Sequence, residues 1–301
     1  MSQFGIPYMG SKAKICKDIC SIFPGADNFY DLFGGGFSVT HYILKYKSHQ
    51  YKQFHFNEIR PGICDLIKDA IAGKYNYDVY KPEWISREEF FKRLDTDPLV
   101  KIIWSFGNNG RDYLFGNDIE PYKKSMHMAI VFNKFDDTAK QVLGMDRFKE
   151  GLSITDKRLF LRYKVVKNNP SLRPTELERL QRLQQLQQLQ QLLQLEFYST
   201  SYELVPIKPN SIIYCDIPYD GTAEYDKNDS FNRAKFLEWA HEQKEPVFIS
   251  EYQISDTRFK CVKSIKKRSL LSGNKDNTLI KMERLYVNQA GYRALISQRK
   301  Q

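Results

Sequence analysis

The sequence predicts a mixed α/β fold: a parallel sheet with helices on its faces, interrupted by a long insertion. Three observations lead there. The first quarter alternates short apolar runs with amphipathic ones, and the last third resumes that alternation. Between them, over residues 75–195, the chain is rich in aromatic and charged residues and the alternation stops. With 301 residues, 42% hydrophobic and 14% aromatic, the chain can bury a substantial core, so most of it is expected to be folded.

The elements follow in order. "NFYDLF" (28–33) reads as a strand running into Gly34, Gly35 and Gly36, and "SVTHYILKY" (38–46) as the helix after it. "KQFHFNEI" (52–59) is a second strand and "GICDLIKDAIAG" (62–73) a second helix, which completes a βαβ unit. Inside the insertion, "SFGNNGRDYLFG" (105–116) carries turn residues, "MAIVFNKF" (128–135) reads as a strand, and "ITDKRLFLRYKVVKN" (154–168) is basic and amphipathic. The sheet pattern resumes with a buried strand at 211–215, a helix "NRAKFLEWAHEQ" (232–243), a strand "PVFISEY" (246–252) and a closing strand "ERLYVN" (283–288). Residues 1–74 and 196–301 are therefore expected to form one domain, with 75–195 inserted into it.

One tract is low in complexity. Leucines recur every third residue at 177, 180, 183, 186, 189, 192 and 195, separated mostly by glutamines. On an α-helix each such step turns the leucine back by roughly 60°, so the set spirals and a heptad seam is disfavoured. Gln, Leu and Arg favour helix and Pro174-Thr175-Glu176 suits a start, so a helix over 175–195 joining insertion and sheet domain is expected. Oligomerisation is the alternative role for this tract.

Lys and Arg number 46 against 36 Asp and Glu, a net charge of +10. A polyanion such as nucleic acid suits that balance, because clustered cations gain by releasing its counterions. A basic protein with no such partner fits equally. The five cysteines form no CxxC pair and the five histidines are scattered, which speaks against a disulfide framework or a zinc site and for reduced, mostly buried thiols. The N-terminal residues lack a signal-peptide pattern and no segment is long enough to span a bilayer, so a cytoplasmic location without membrane contact is expected.

Three segments carry chemistry. "FYDLFGGGFSV" (29–39) takes a strand into consecutive glycines before a helix, which lets backbone approach a ligand and presents free N–H groups. It lacks the GKS/T ending of a phosphate-cradling loop, which argues against an NTPase. Glu58 ends the second strand 22 residues beyond Gly36, the spacing at which an acid reaches ribose hydroxyls in nucleotide-binding βαβ units. "SIIYCDIPYDG" (211–221) ends an apolar strand in an acid, a proline and a tyrosine. A strand-ending turn explains that last stretch taken alone.

Together with the opening "PYMGSK" (7–12) and with "DGTAEY" (220–225) after "DIPY", these segments resemble the Dam-type, D12 class DNA adenine-N6 methyltransferases. Their order is cofactor loop, insertion, catalytic tetrad, that of the family's alpha group. The likeness covers most of residues 4–75 and 196–290. It implies a Rossmann-like S-adenosylmethionine-dependent methyltransferase sheet with an inserted, mainly helical target-recognition region. The cofactor implied is S-adenosylmethionine, leaving as S-adenosylhomocysteine, with no metal. Tyr8, Lys12, Asp31, Phe33, Gly34, Gly36, Glu58 and Asp216 would surround it, with Glu58 on the ribose diol and Asp216 near the reactive methyl. The family tetrad is usually DPPY; here Ile217 takes the second place, which calls only for a backbone carbonyl.

The tetrad's chemistry follows from the substrate. The lone pair of an exocyclic amine is delocalised into the base. The Asp216 carboxylate and the Ile217 carbonyl would each accept one N–H, localising that lone pair for attack on the sulfonium methyl. Pro218 would aim the backbone and Tyr219 would stack on the base. Flipping the base out of a duplex costs a few kcal/mol, and a stacking ring returns ~1–3 kcal/mol. Duplex DNA is thus the implied partner, for a bacterial or phage-encoded monomer or weak dimer that could serve beside a cognate restriction endonuclease. Lys266, Lys267 and Arg268, and the basic stretch 157–167, suit phosphates, while Asn108, Asn109 and Arg111 suit base edges. The tetrad itself also admits cytosine N4 or RNA adenine as substrate, and a non-catalytic DNA-binding or assembly module is the rival of another class.

Overall fold

Strands covered on both faces require nearly continuous apolar sequence, and the inner strands of this chain are of that kind. The computed structural model describes residues 4–190, 194–219, 231–268 and 280–298, except for the side chains of 267, 268, 280 and 281. Seven described strands form one sheet: β1 (Asn28–Asp31), β2 (Gln53–Asn57), β3 (Leu195–Tyr198), β4 (Ser211–Cys215), β5 (Val247–Glu251), β6 (Lys260–Arg268) and β7 (Ile280–Val287). Their order is β3-β2-β1-β4-β5-β7-β6. The first five in that order are parallel, and β7 runs antiparallel to both β5 and β6. Every residue of β1, β4 and β5 is buried.

Helices Ser38–Tyr46, Ile63–Ile71 and Arg233–Glu242 alternate with these strands, as the sequence pattern predicts. From β1 the chain moves outward to β2, and from β4 it moves outward on the other side to β5. The order therefore reverses between β1 and β4, where open α/β sheets bind ligands beyond the carboxyl ends of their strands.

The chain divides into two compact units, one of residues 1–5, 11–64 and 191–301, the other of residues 6–10 and 65–190. The first contains the sheet. The second is mainly helical among its described residues. A capping box between Ser86 and Glu89 starts helix Arg87–Arg93, and the Asp97 side chain caps Pro98–Ile103. Its core includes Trp104, Phe115 and His127, whose Nδ1 lies 3.2 Å from Glu176.

Two sequence expectations need correction here. "MAIVFNKF" is not a strand but the end of helix Glu120–Phe132, stopped by Asn133 in the left-handed conformation (φ 56°). Met126, Ala129 and Ile130 are buried at helical spacing; a short apolar run alone cannot separate the two periods. The leucine–glutamine tract is not one helix over 175–195 either. It is α-helical over Thr175–Gln184, tightens to a 3₁₀-helix over Gln185–Leu189, and Leu195 opens β3. Leucines at 177, 180, 183, 186 and 189 are all buried. A 3₁₀-helix has three residues per turn, so the tightening holds Leu186 and Leu189 on one side where an α-helix would let them drift.

Cys16, Cys20, Cys64 and Cys215 are buried free thiols and Cys261 is exposed. Among the described residues no helix is long and apolar enough to cross a membrane.

Candidate active site

The carboxyl ends of β2, β1 and β4 each deliver an acid. Asp31, the last residue of β1, is 1% exposed, and its Oδ2 accepts a hydrogen bond from Thr40 Oγ1 at 2.7 Å. Burial pushes its carboxyl up to about 7, with the charges of Asp216 and Glu58 adding to the rise. Phe33, two residues on, packs on Tyr202 and Phe236.

The glycine loop then turns into helix Ser38–Tyr46. Gly35 takes a positive φ of 48°. Gly34 is required for a different reason: a Cβ there would lie 2.0 Å from the Phe56 ring. The N–H of Gly34 donates to the Asn57 carbonyl (2.9 Å) and that of Gly35 to Glu58 Oε2 (2.8 Å). Those two donors hold the loop to the end of β2, which corrects the expectation that they stand free. Gly36 turns its carbonyl toward Gly5, where a Cβ would come within 2.1 Å of it. Gly34→Ala is expected to cost about 1–3 kcal/mol in urea unfolding, the usual range for overpacking. A midpoint unchanged from wild type would contradict this account of the loop.

Glu58, 4% exposed, also accepts from the Arg60 N–H at 3.0 Å through Oε1. One oxygen is thereby held by the glycine loop and the other by the backbone just past β2.

Beyond β4, "DIPY" leaves the sheet. Asp216 Oδ1 lies 2.7 Å from Lys12 Nζ. The buried side chain of Ile217 joins the cluster of Tyr30, Leu32, Ile213 and Phe236, so this residue anchors the turn in the core besides carrying a carbonyl. The Pro218 carbonyl accepts from Arg233 Nη2 at 2.8 Å, and Arg233 Nη1 pairs with Glu251 at 2.6 Å. The Tyr219 ring lies 4.4 Å from that of Tyr252. Its hydroxyl accepts from Lys12 (2.5 Å) and donates to Glu283 on β7. Burial pulls the Lys12 ammonium down, yet it stays above the ordinary lysine value because the carboxylates of Asp216 and Glu283 outweigh burial.

Lys12, Asp31, Glu58, Asp216 and Tyr219 thus lie in the first unit with the sheet, and Lys12, Asp216 and Tyr219 are in direct contact. Tyr8, from the same "PYMGSK" segment as Lys12, belongs to the second unit, where it is buried. Sequence reasoning missed Glu283 and Tyr252. Glu283 opens the apolar "ERLYVN" run, and nothing beside it in the sequence ties it to Lys12.

Of the residues assigned to DNA, Asn108 donates to the Ile102 carbonyl (2.9 Å) and Asn109 to Asp112 (2.6 Å), so both amides fold their own loop. Arg111 is exposed in that loop, and Lys266 is exposed on β6. The side chains of Lys267 and Arg268, and the whole of "DGTAEY", lie outside the described residues.

None of the curated proteins compared matches the chain. The sequence pattern of the D12 class N6 adenine-specific DNA methyltransferases does, across residues 8–288. The chain, with its acids at the ends of β1, β2 and β4, belongs to that family of adenine-N6 DNA methyltransferases.

Proposed function

We propose that this enzyme methylates N6 of an adenine flipped out of duplex DNA within a fixed short sequence, using the tetrad after β4. The observation that supports this best is the placement of Glu58, Asp31 and Asp216 beyond three adjacent parallel strands where the strand order reverses.

The family implies S-adenosylmethionine as methyl donor, and the residues present suit it. Burial, and after it the charges of Asp216 and Glu58, raise the Asp31 carboxyl to about 7, and a cation beside it would favour its ionised form. When bound, the cofactor supplies an activated methyl on a positively charged sulfur. Glu58 would hold its ribose diol, with Asp31, Phe33, Lys12 and the Gly34–Gly36 loop around it. Asp216 and the Ile217 carbonyl would then accept the two amine N–H bonds of adenine, and Tyr219 would stack on the ring. For the DNA backbone, exposed Lys266 in the first unit and exposed Arg162, Lys164 and Lys167 in the second are suitable phosphate contacts. With the amides of Asn108 and Asn109 already engaged, base reading from their loop would fall to Arg111.

A pH dependence follows from Asp31. Its carboxyl ionises at about 7, and the ionised form attracts the sulfonium more strongly. Cofactor affinity is therefore expected to rise with pH, by about tenfold between pH 6 and 8, which corresponds to one pKa unit or about 1.4 kcal/mol. Calorimetry should show a proton released on binding near neutrality, and Asp31→Asn should abolish both effects. A flat wild-type profile would remove Asp31 from the cofactor site.

The functional reading is tested by single-molecule sequencing of DNA from cells expressing the protein. N6-methyladenine confined to one short motif is the expected result. Modification of cytosine instead, or none from soluble, cofactor-binding protein, would overturn it.

A further inference from the structure

The cluster beyond β4 contains one more acid than the proposed reaction uses. Glu283 lies on β7 opposite Ile265 of β6 and is 1% exposed. Its Oε1 accepts from the Tyr219 hydroxyl and stands 3.5 Å from Lys12 Nζ. Its Oε2 is buried and has no hydrogen-bond partner among the described residues.

Lys12 is the other half of the problem. Its ammonium, 3% exposed, sits 2.7 Å from Asp216 Oδ1, 2.5 Å from the Tyr219 hydroxyl and 4.6 Å from the centroid of the Tyr219 ring, out beyond the hydroxyl. This cation thus occupies the carboxylate oxygen that an amine N–H of a flipped adenine needs, and it engages the hydroxyl of the ring on which the base would stack. A buried ammonium cannot simply let go, because an unpaired buried charge costs several kcal/mol. It needs a second anion within a small side-chain rotation. Glu283 is that anion, and the Tyr219 hydroxyl bridges the two, accepting from Lys12 and donating to Glu283.

We propose that Lys12 is a placeholder on Asp216 in the base-free enzyme, and that Glu283 is the positioning residue that receives its ammonium when adenine enters. The inference rests on the reading of Asp216 as amine acceptor. With Lys12 on Glu283 the ion pair stays balanced, and Asp216 keeps its full charge for the amine. With a neutral side chain at 283, the ammonium stays on Asp216 and competes with the substrate. No bond to carbon is made or broken in this step; one ion pair replaces another.

The test uses the full chain, tritiated S-adenosylmethionine at saturation and genomic DNA lacking N6-methyladenine. Single-turnover methylation is compared for wild type, E283Q, E283D, K12M, K12M/E283Q and D216A. E283Q is expected to lower the rate about 10- to 100-fold, with cofactor affinity changed less than about threefold, and E283D to recover part of the loss. The double variant is expected to be faster than E283Q by about tenfold, since removing Lys12 removes the competitor. A purely structural role for Glu283 predicts a double variant at least as slow as E283Q. That result, or a wild-type rate in E283Q, overturns the proposal. Should E283Q fail to fold, K12M and K12M/E283Q carry the comparison: equal rates are expected, and a further loss in the double variant overturns it. An active D216A overturns the reading of Asp216 itself. An inactive D216A beside a fully active E283Q overturns the placeholder alone.

Discussion

Asp216→Ala is expected to lower single-turnover methylation by about 10²–10³-fold or more, a larger effect than any other substitution in the site. The size follows from what the carboxylate is asked to do. The amine nitrogen gains positive charge as it attacks, so an acceptor fixed beside it is worth far more in the transition state than in the bound ground state. On the proposed reading, alanine would remove that acceptor and leave the Ile217 carbonyl to act alone. The fold should survive, because Lys12 retains Glu283 at 3.5 Å and the Tyr219 hydroxyl at 2.5 Å, and Ile217 keeps its place in the apolar cluster. Asp216→Asn separates charge from shape: it offers one acceptor oxygen but turns an N–H₂ donor toward an amine that needs acceptors. Its rate should stay within about tenfold of the alanine variant. Rates come from quenched-flow methyl incorporation, with circular dichroism and cofactor binding measured on the same preparations. An alanine variant within tenfold of wild type would take the amine off Asp216 altogether.

How far this site was legible in the sequence depends on the range of the interactions that build it. β1, β4 and β5 read as strands because each is a short segment rich in apolar or aromatic residues and closed by turn-forming or polar ones, a pattern that burial on both faces suits. Glu58 and Asp216 stand out because each closes a strand pattern, whereas Asp31 entered only through the resemblance to the methyltransferase family. Glu283 does neither. Its meaning comes from Lys12 and Tyr219, and even Lys12 and Tyr219 are 207 positions apart in the chain. β6 was missed for a local reason: "KCVKSIKKR" alternates basic with smaller residues, and the charge conceals an edge strand of nine residues, with a bulge between Cys261 and Lys263. β3 was hidden by low complexity, since Leu195 continues a leucine repeat whose earlier members are helical. The glycine loop was located correctly, but its donors were assigned to a ligand when two of them hold the end of β2. Sequence shows where backbone can come close to something; only the fold shows to what.

Glu58→Ala is the second large effect, and it falls on cofactor affinity. Two losses combine. On the proposed reading the ribose diol would lose a charged acceptor, and hydrogen bonds to charged groups contribute about 1.5–3 kcal/mol. The Gly35 N–H, now held at 2.8 Å by Glu58 Oε2, loses its partner and with it the tie between the glycine loop and β2. A total near 3 kcal/mol corresponds to about 100-fold in Kd. Glu58→Gln keeps an oxygen for Gly35 and surrenders the charge, so a loss of about tenfold is expected there. The two contributions can be separated with S-adenosylhomocysteine and its 2′-deoxy counterpart, titrated calorimetrically into each variant. Wild type should prefer the ribose form by about tenfold or more, whereas Glu58→Ala should bind both forms with similar weakness. If the alanine variant keeps the wild-type preference, Glu58 only braces the loop, and the diol is held by another residue.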